Sequence, residues 1–209
     1  MERSFGVSTA PLGCAQWWHL DDHRLVPRRS LVLAERLVLR RIVRSLPPPV
    51  GPAVTLVGQA SRGGALWLSS ALLLSLFGPR GRRAAVAGVT ALVTTSAVAN
   101  GPAKWLVRRS RPGGAALIGL HRLGQAPGTS SFPSSHTASA FAFAVAASAE
   151  LPAAAPVLLP AALAVAVARM RAVRHYPSDV LAGAVLGAAL AAATTHAVRH
   201  WRATRPLDR

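Results

Sequence analysis

The side chains of this sequence that could do chemistry fall into three short segments, each at the end of a long apolar stretch. Together they supply three cations, two imidazoles, serine hydroxyls and one carboxylate. Several fixed cations beside a histidine that a carboxylate supports suit an oxyanion that is first bound and then attacked. We expect that oxyanion to be a phosphate. The segments contain Lys104 with Arg111, Ser134 with Ser135 and His136, and Arg169 with His175 and Asp179.

The most specific of the three segments contains His175, with Asp179 four residues later. Pro177 and Ser178 between them favour the start of a helix. A carboxylate at this offset can accept a hydrogen bond from one imidazole nitrogen and leave the other free as a lone-pair donor. Because an ionisable pair at the end of a membrane span is costly unless it is used or paired, we interpret it as functional.

The segment with Lys104 and Arg111 places two cations seven residues apart. They share one face if the helix continues to Pro112. The guanidinium can then bind a phosphoryl group in bidentate fashion beside the ammonium. Arg108 and Arg109 lie in the same run, so a positive cluster that only orients the chain in a membrane explains this segment as well.

The segment 133–136 precedes an apolar helix that we predict to begin near His136. Ser134 fits the N-cap position, and the free N–H groups of the first turn form an anion site beneath His136. An ordinary cap with an incidental histidine is the alternative. A metal site of His136, His175 and Asp179 is disfavoured because nearby cations would repel a divalent ion. We expect no metal and no cofactor.

The composition is typical of a protein that crosses a membrane several times. Of 209 residues, 51% are hydrophobic and only 15% are charged, and the mean hydropathy is +0.35. A formal charge of +17 would suit a nucleic-acid partner, but the arginines lie in joints between apolar blocks and no recognition motif accompanies them. Such arginines also bind anionic lipid head groups. We expect the bilayer, and no nucleic acid, as a partner; the oligomeric state is not indicated.

The apolar blocks predict an all-α integral membrane bundle of five to six helices. If each block crosses once, the joints 104–135 and 170–177 lie on the same side, and the three segments converge on one membrane face. Gly183 and Gly187 predict close packing between two helices. The blocks are roughly 63–78, 84–103, 136–151, 152–170 and 178–198.

The chain is expected to divide into a polar tail with a basic amphipathic helix at 1–50, a membrane domain at 51–199 and a basic tail at 200–209. In 31–45, apolar triplets alternate with charged pairs, so the leucines face one way and Glu35 with the arginines faces the other. This pattern indicates a helix on an anionic membrane surface or, equally, one packed on the bundle.

The same helix bears on orientation in the cell membrane. An interfacial helix on the cytoplasmic leaflet, followed by five crossings, puts the site on the cytoplasmic face. A further span within 31–58 would move the site outside.

In order and spacing, the three segments resemble the signature of the type 2 phosphatidic acid phosphatase family, over roughly residues 55–198. That family includes bacterial polyprenyl-phosphate phosphatases and vanadium haloperoxidases. The resemblance implies an integral membrane enzyme that hydrolyses a lipid phosphate monoester or diphosphate without a metal. Ser135 stands where the family usually has glycine, and Ala168 replaces a common serine, which implies altered specificity at most.

The resemblance also implies a role for each residue. His175 is the implied nucleophile that forms a phosphohistidine, Asp179 orients it, and His136 protonates the leaving alcohol. The residues implied to hold the phosphate are Lys104, Arg111, Ser134, Ser135 and Arg169.

The substrate is less well indicated. The chain looks like short actinobacterial members linked to dephosphorylation of decaprenyl-phosphoryl-phosphoribose phosphate in cell-wall synthesis. A phosphatidic acid or phosphatidylglycerophosphate phosphatase is the alternative within this chemistry. A vanadate haloperoxidase is disfavoured because those relatives are soluble. A non-catalytic lipid-binding or transport protein would use the cations for head groups and would not need Asp179.

Overall fold

The structure is a computed structural model that describes residues 18–21, 24–45, 50–112 and 129–204. Much of the predicted tail at 1–29 and the middle of the joint 104–135 lie outside the described residues. An antiparallel hairpin of β1 (Trp18–Asp21) and β2 (Arg24–Pro27), which we did not predict, precedes the helices. The described helices are α1 (Arg29–Ser45), α2 (Val50–Ala60), α3 (Ala65–Ser75), α4 (Gly78–Asn100), α5 (Pro102–Leu106), α6 (Ser135–Glu150), α7 (Ala155–Arg171) and α8 (Pro177–Thr204).

Helix α6 is the centre of the bundle and contacts α4, α7 and α8. Seven of its 16 residues are alanine, and Ala138, Ala142 and Ala146 are fully buried. Short side chains let the surrounding helices approach closely. Phe143 is a large side chain that is also fully buried, and its ring lies 5.2 Å from that of Trp67 in α3, measured between centroids.

The close contact predicted at Gly183 and Gly187 is confirmed, because both lie against the backbone of α6. A Cβ on Gly183 would come within 2.5 Å of the carbonyl oxygen of Ser134, and one on Gly187 would collide with the carbonyl oxygen of Ala138. The first turn of α8 is therefore held beside the start of α6. There the backbone N–H of Ser134 donates to the carbonyl of Asp179 at 2.9 Å.

Large apolar side chains cover the outside of the bundle, the reverse of a soluble protein, and suit contact with lipid tails. Leu72 of α3, Leu163 of α7 and Leu181 of α8 are all exposed. The predicted all-α membrane bundle is confirmed. In the described part of the chain, three helical segments are long and apolar enough to cross a membrane: Gly78–Leu106, Pro152–Arg171 and Pro177–His200.

The first predicted block, 63–78, corresponds to α3. The chain turns immediately before α3, so α2 and α3 are separate helices. A short 3-10 turn at Arg62–Gly64 separates α2 from α3, and Gly63 and Gly64 have φ angles of 63° and 81°. Only glycine adopts this left-handed conformation without strain. With 11 residues, α2 is about 16 Å long, too short to cross a bilayer core of about 30 Å.

Helix α1 packs on α7 and α8, but the face that it buries differs from the prediction. Leu39 is fully buried, whereas Leu33 and Leu37 are exposed. Glu35, which we expected on the polar outer face, is only 7% exposed. The alternation correctly predicted a helix, but it could not reveal that a buried cation would compensate for burying the Glu35 carboxylate.

Candidate active site

A tight turn joins α7 to α8 and fixes where His175 projects. Val173 has a φ of 52°; its N–H donates to the carbonyl of Met170 at 2.9 Å, and that of Arg174 donates to Arg169 at 3.2 Å. This closure of a helix usually employs glycine. A left-handed conformation costs other residues about 1–2 kcal/mol. Burial of the Val173 side chain in the core shared by α1, α7 and α8 offsets that cost.

Both ring nitrogens of His175 have defined neighbours. Nδ1 lies 2.8 Å from the carbonyl oxygen of Ser131, and Nε2 lies 3.2 Å from a guanidinium nitrogen of Arg111. Because arginine only donates, Nε2 must carry the lone pair and Nδ1 the proton. The hydrogen bond that we predicted from His175 to Asp179 goes instead to Ser131, and the nearest Asp179 oxygen is 3.7 Å from Nδ1.

The imidazole of His175 is only 3% exposed. Burial lowers the pKa of His175 below its ordinary value, and the nearby Asp179 carboxylate partly opposes this shift. The ring is therefore neutral at physiological pH, the state in which Nε2 can act as a nucleophile.

Asp179 is fully buried and is held from two sides. Its Oδ2 accepts the backbone N–H of Tyr176 at 2.8 Å, and its Oδ1 accepts a guanidinium N–H of Arg109 at 2.7 Å. The Arg109 guanidinium also lies 4.2 Å from the ring centre of Tyr176. Burial lowers the pKa of Arg109, and Asp179 opposes that shift.

Arg109 is thus a site residue that the sequence reading missed. In the sequence it is one of several arginines beside an apolar block, and it was interpreted only as part of a positive cluster. The structure makes it 3% exposed, whereas Arg108 next to it is exposed. The contrast arises from the extended backbone after α5, which turns alternate side chains to opposite sides.

The premise that one helix carries Lys104 to Arg111 is wrong, since α5 ends at Leu106 and Val107 is extended with a φ of −118°. Both cations nevertheless reach the site. Lys104 Nζ donates to Asn100 Oδ1 at 2.9 Å and lies 3.4 Å from the hydroxyl of Ser135.

Arg111 is held by neutral acceptors. One guanidinium nitrogen donates to the carbonyl of Arg174 at 3.0 Å, and the other donates to the carbonyl of Ser130 at 3.3 Å. These contacts fix the position of the Arg111 guanidinium. A guanidinium fixed beside Nε2 suits the oxygen of a bound anion.

Ser134 occupies the N-cap of α6, as predicted, but its hydroxyl makes no cap hydrogen bond. The hydroxyl pairs with that of Thr137 at 2.9 Å, and Ser134 is fully buried. Ser135 begins the helix. Among the described non-glycine residues only Val173 has a positive φ, so serine in place of the family's glycine causes no backbone strain at position 135.

His136 is half-buried at the start of α6. Burial, together with the charges of Arg169, His175 and Lys104, lowers the pKa of His136 to about 3. The two predicted histidines therefore share one site. A phosphate anion bound beside Arg169 and Lys104 acts in the opposite direction and favours the protonated ring of His136.

Arg169 lies at the edge of that site. It is 5% exposed, and its guanidinium donates to the carbonyl of Gly58 in α2. A Cβ on Gly58 would come within 2.6 Å of that of Ala168. Any larger residue than alanine at position 168 would press on α2.

A cavity of about 390 Å³ opens beside His136, between α3, α4 and α6. Its lining is mixed, with Trp67 and Leu92 as the large apolar members. Within the described ranges, no group of three or more histidine, cysteine or acidic side chains could hold a metal ion. The polar side chains of the cavity lining are Ser61, Ser96, Asn100, Ser135, His136 and Ser139.

Comparison with known proteins gives one family. The sequence profile of the PAP2 superfamily matches residues 84–203, more than half of the chain. No curated protein sequence matches the chain significantly.

Two solved structures share the fold. One is the transmembrane PAP2 type phosphatidylglycerolphosphate phosphatase from Bacillus subtilis, with a TM-score of 0.62 and 16% sequence identity over 87% of this chain and 90% of that one. The other is LpxE from Aquifex aeolicus, with a TM-score of 0.61 and 21% identity over 76% of this chain and 93% of that one. At these identities the likeness concerns the fold alone.

Proposed function

Because the chain belongs to the PAP2 superfamily, we propose that it is a metal-independent phosphatase that cleaves a membrane lipid phosphate through a phosphohistidine at His175. The tautomer of His175 carries this proposal. With its proton directed to Ser131 and its lone pair at Nε2 beside the Arg111 guanidinium, the ring has the form that a nucleophile toward phosphorus needs.

In the first step, Nε2 of His175 attacks phosphorus and the bond from phosphorus to the lipid alcohol breaks. The electron pair leaves with the alcohol oxygen, which takes a proton from His136. Arg111 and Lys104 stabilise the charge that develops on the non-bridging oxygens. Asp179 stabilises the positive charge on the ring of His175.

In the second step, water attacks the phosphohistidine, and His136, now neutral, accepts a proton from that water. The N–P bond breaks, its electron pair returns to Nε2, and phosphate leaves. Ser135 adds a hydroxyl, and Arg169 adds a donor once its side chain turns from Gly58. We assign no phosphate contact to Ser134, because both its hydroxyl and its N–H have protein partners.

The cavity beside His136 supports a substrate whose leaving alcohol carries further hydroxyl groups. His136 would protonate the leaving oxygen, so that alcohol must lie on its side of the phosphate. Ser96 and Ser139 in the lining offer partners for such hydroxyls. A prenyl-linked pentose phosphate, such as decaprenyl-phosphoryl-phosphoribose phosphate, fits this description. Phosphatidylglycerophosphate is the second candidate, and phosphatidate and prenyl diphosphates fit less well.

We place the enzyme in the cytoplasmic membrane with its site facing the cytoplasm. Glu35 in α1 contacts the first turn of α8, so the basic helix and the site lie at the same end of the bundle. Arginines on a helix at the surface favour the anionic cytoplasmic leaflet. Labelling of a single cysteine introduced at Thr129, in a variant whose Cys14 is replaced by serine, tests this placement in intact cells. Modification by an impermeant reagent in intact cells would put the site outside.

The activity is tested by phosphate release from a panel of lipids in detergent micelles. The panel holds a prenyl-phosphoribose phosphate, phosphatidylglycerophosphate, phosphatidate and a prenyl diphosphate. We expect turnover in the presence of a chelator, fastest with the first or second lipid. Ser139→Leu, which narrows the cavity, should slow those two more than phosphatidate.

The matched variants are His175→Ala and His196→Ala. Both replace a histidine by alanine, but His196 is an exposed residue farther along α8. We expect no turnover in the first and normal turnover in the second. Undiminished release in His175→Ala contradicts the proposal. Lipid binding without release by the unmodified protein, unchanged in Asp179→Ala, would instead indicate a binding or transport protein.

A further inference from the structure

Glu35 is a buried carboxylate in the middle of an otherwise basic helix. Five arginines lie in the same helix, at positions 29, 36, 40, 41 and 44, yet Glu35 turns inward and is 7% exposed. A buried carboxylate is costly unless it is paired. Glu35 must therefore have polar partners inside the protein.

The contacts of Glu35 lie directly behind the catalytic groups. Its Oε2 pairs with the Arg109 guanidinium, and its Oε1 accepts the backbone N–H of Ser178 at 2.9 Å. The opposite nitrogen of that guanidinium binds Asp179 at 2.7 Å and the hydroxyl of Ser178 at 2.6 Å. Arg109 thus bridges two carboxylates, one from α1 and one from α8.

The net charge of this bridge determines the electrostatic potential at the His175 ring. Glu35, Arg109 and Asp179 together carry a net charge of −1. Without Glu35, the Arg109 cation would offset the Asp179 carboxylate, and the pair would carry no net charge. Because attack by Nε2 on phosphorus leaves positive charge on the ring, a net negative charge behind Nδ1 stabilises the transition state.

We propose that Glu35 is a positioning residue of the active site: through Arg109 it orients Asp179 and keeps the charge behind His175 negative. This inference rests on the proposed function. It extends the site to α1, since Glu35 lies outside residues 84–203 that match the family profile. Helix α1, which exposes Leu33 and Leu37 on its outer side, then supplies a positioning residue to the active site from its inner side.

The test separates charge from structure with four variants: Glu35→Gln, Glu35→Asp, the double variant Glu35→Gln with Arg109→Gln, and Glu150→Gln. The last is the matched control, because Glu150 also pairs with an arginine, Arg199. Phosphate release is measured as kcat and KM in micelles, and thermal unfolding in the same detergent reports whether each variant is folded.

For Glu35→Gln we expect kcat to fall about 10- to 100-fold, the size of loss seen when a residue that orients a metal-binding histidine is removed, with little change in KM. Glu35→Asp should recover part of the loss. The double variant, assayed at alkaline pH where Asp179 stays ionised without its cation, should have a higher kcat than Glu35→Gln, since removal of both charges again leaves a net charge of −1 behind His175. Glu150→Gln should match the unmodified protein.

Two results would overturn the inference. One is an unchanged kcat in folded Glu35→Gln. The other is a double variant that is folded but, at that alkaline pH, no faster than Glu35→Gln, which would contradict the role of Glu35 in keeping the charge behind His175 negative. His175→Ala distinguishes these failures from a failure of the proposed function: if it still releases phosphate, the mechanism itself is wrong.

Discussion

The two ends of the helix bundle treat charge in opposite ways. At the end with the site, the Glu35–Arg109–Asp179 bridge is almost completely buried, with side-chain exposures of 9%, 1% and 0%. At the other end, Arg199 pairs with Glu150 at 3.1 Å, and its side chain is 55% exposed. Buried ion pairs add little stability because desolvation opposes their attraction. The chain therefore retains buried charge where chemistry requires it.

Within the buried bridge, the largest expected effect comes from removing the Asp179 charge. Asp179→Asn should lower kcat by up to about 10⁴-fold, the loss when the carboxylate behind the histidine of a serine protease is neutralised. The protein should still bind lipid, since the phosphate contacts do not involve Asp179. Steady-state phosphate release, together with lipid binding measured separately, checks this. A loss of less than tenfold in a folded variant would mean that the buried bridge is structural.

The dependence of kcat/KM on pH below neutrality tests the end of the bundle that contains the site. Protonated His175 has no lone pair, so kcat/KM falls tenfold for each pH unit below its pKa. Since burial lowers the pKa of His175, the decline should begin below about pH 6.5, the ordinary histidine value. The charged groups that face the ring are Arg111, which favours the neutral form, and Asp179, which opposes it. The His136 imidazole lies in the same site.

This profile is measured with a correction for ionisation of the substrate phosphate. A decline that begins above pH 6.5 after that correction would show that Asp179 outweighs burial and Arg111 together.

The contact between α6 and α8 links the two ends and is the next to test. Gly183→Ala places a methyl group about 2.5 Å from the Ser134 carbonyl and 3.3 Å from the Ala138 nitrogen. Overpacking of this kind costs about 1–3 kcal/mol. Thermal unfolding in detergent should show the loss. Val185→Ala, a change of an exposed side chain in the same helix, is the control and should change stability little. Unchanged stability in Gly183→Ala would mean that α8 can shift freely.

The smallest effect is expected at the end without the site. Glu150→Gln should change the free energy of unfolding by less than about 1 kcal/mol, as is usual for ion pairs at a surface. Phosphate release should not change. Thermal unfolding at low and high salt checks the first expectation. A fall in kcat as large as the one expected for Glu35→Gln would contradict the distinction between the two ends of the bundle.

Periodicity and length predicted much of the fold. The blocks at 136–151 and 152–170 correspond to α6 and α7 within a few residues, because apolar stretches flanked by proline or charge mark the ends of helices clearly. The pair Gly183 and Gly187 predicted a real contact. The break at Arg62–Gly64 was missed, although two adjacent glycines there were a usable signal for a turn.

The site residues with distinctive spacing were placed near one another, but their partners were not predicted. The carbonyl of Ser131, which accepts the proton of His175, is a backbone atom that no side-chain pattern reveals. Arg109 and Glu35 are 74 residues apart in sequence, and each looks like an ordinary charge in its own segment. Long-range pairs of this kind follow from tertiary packing, which a single sequence does not disclose.

The most direct test of the account is to trap the phosphoenzyme. The protein is mixed with a lipid substrate, quenched in alkali within one turnover and digested, and the peptides are analysed by mass spectrometry. We predict an alkali-stable, acid-labile phosphate on His175 that is absent from His175→Ala. Turnover with phosphate on His136 instead, or with no phosphohistidine at any time before product appears, would contradict the account.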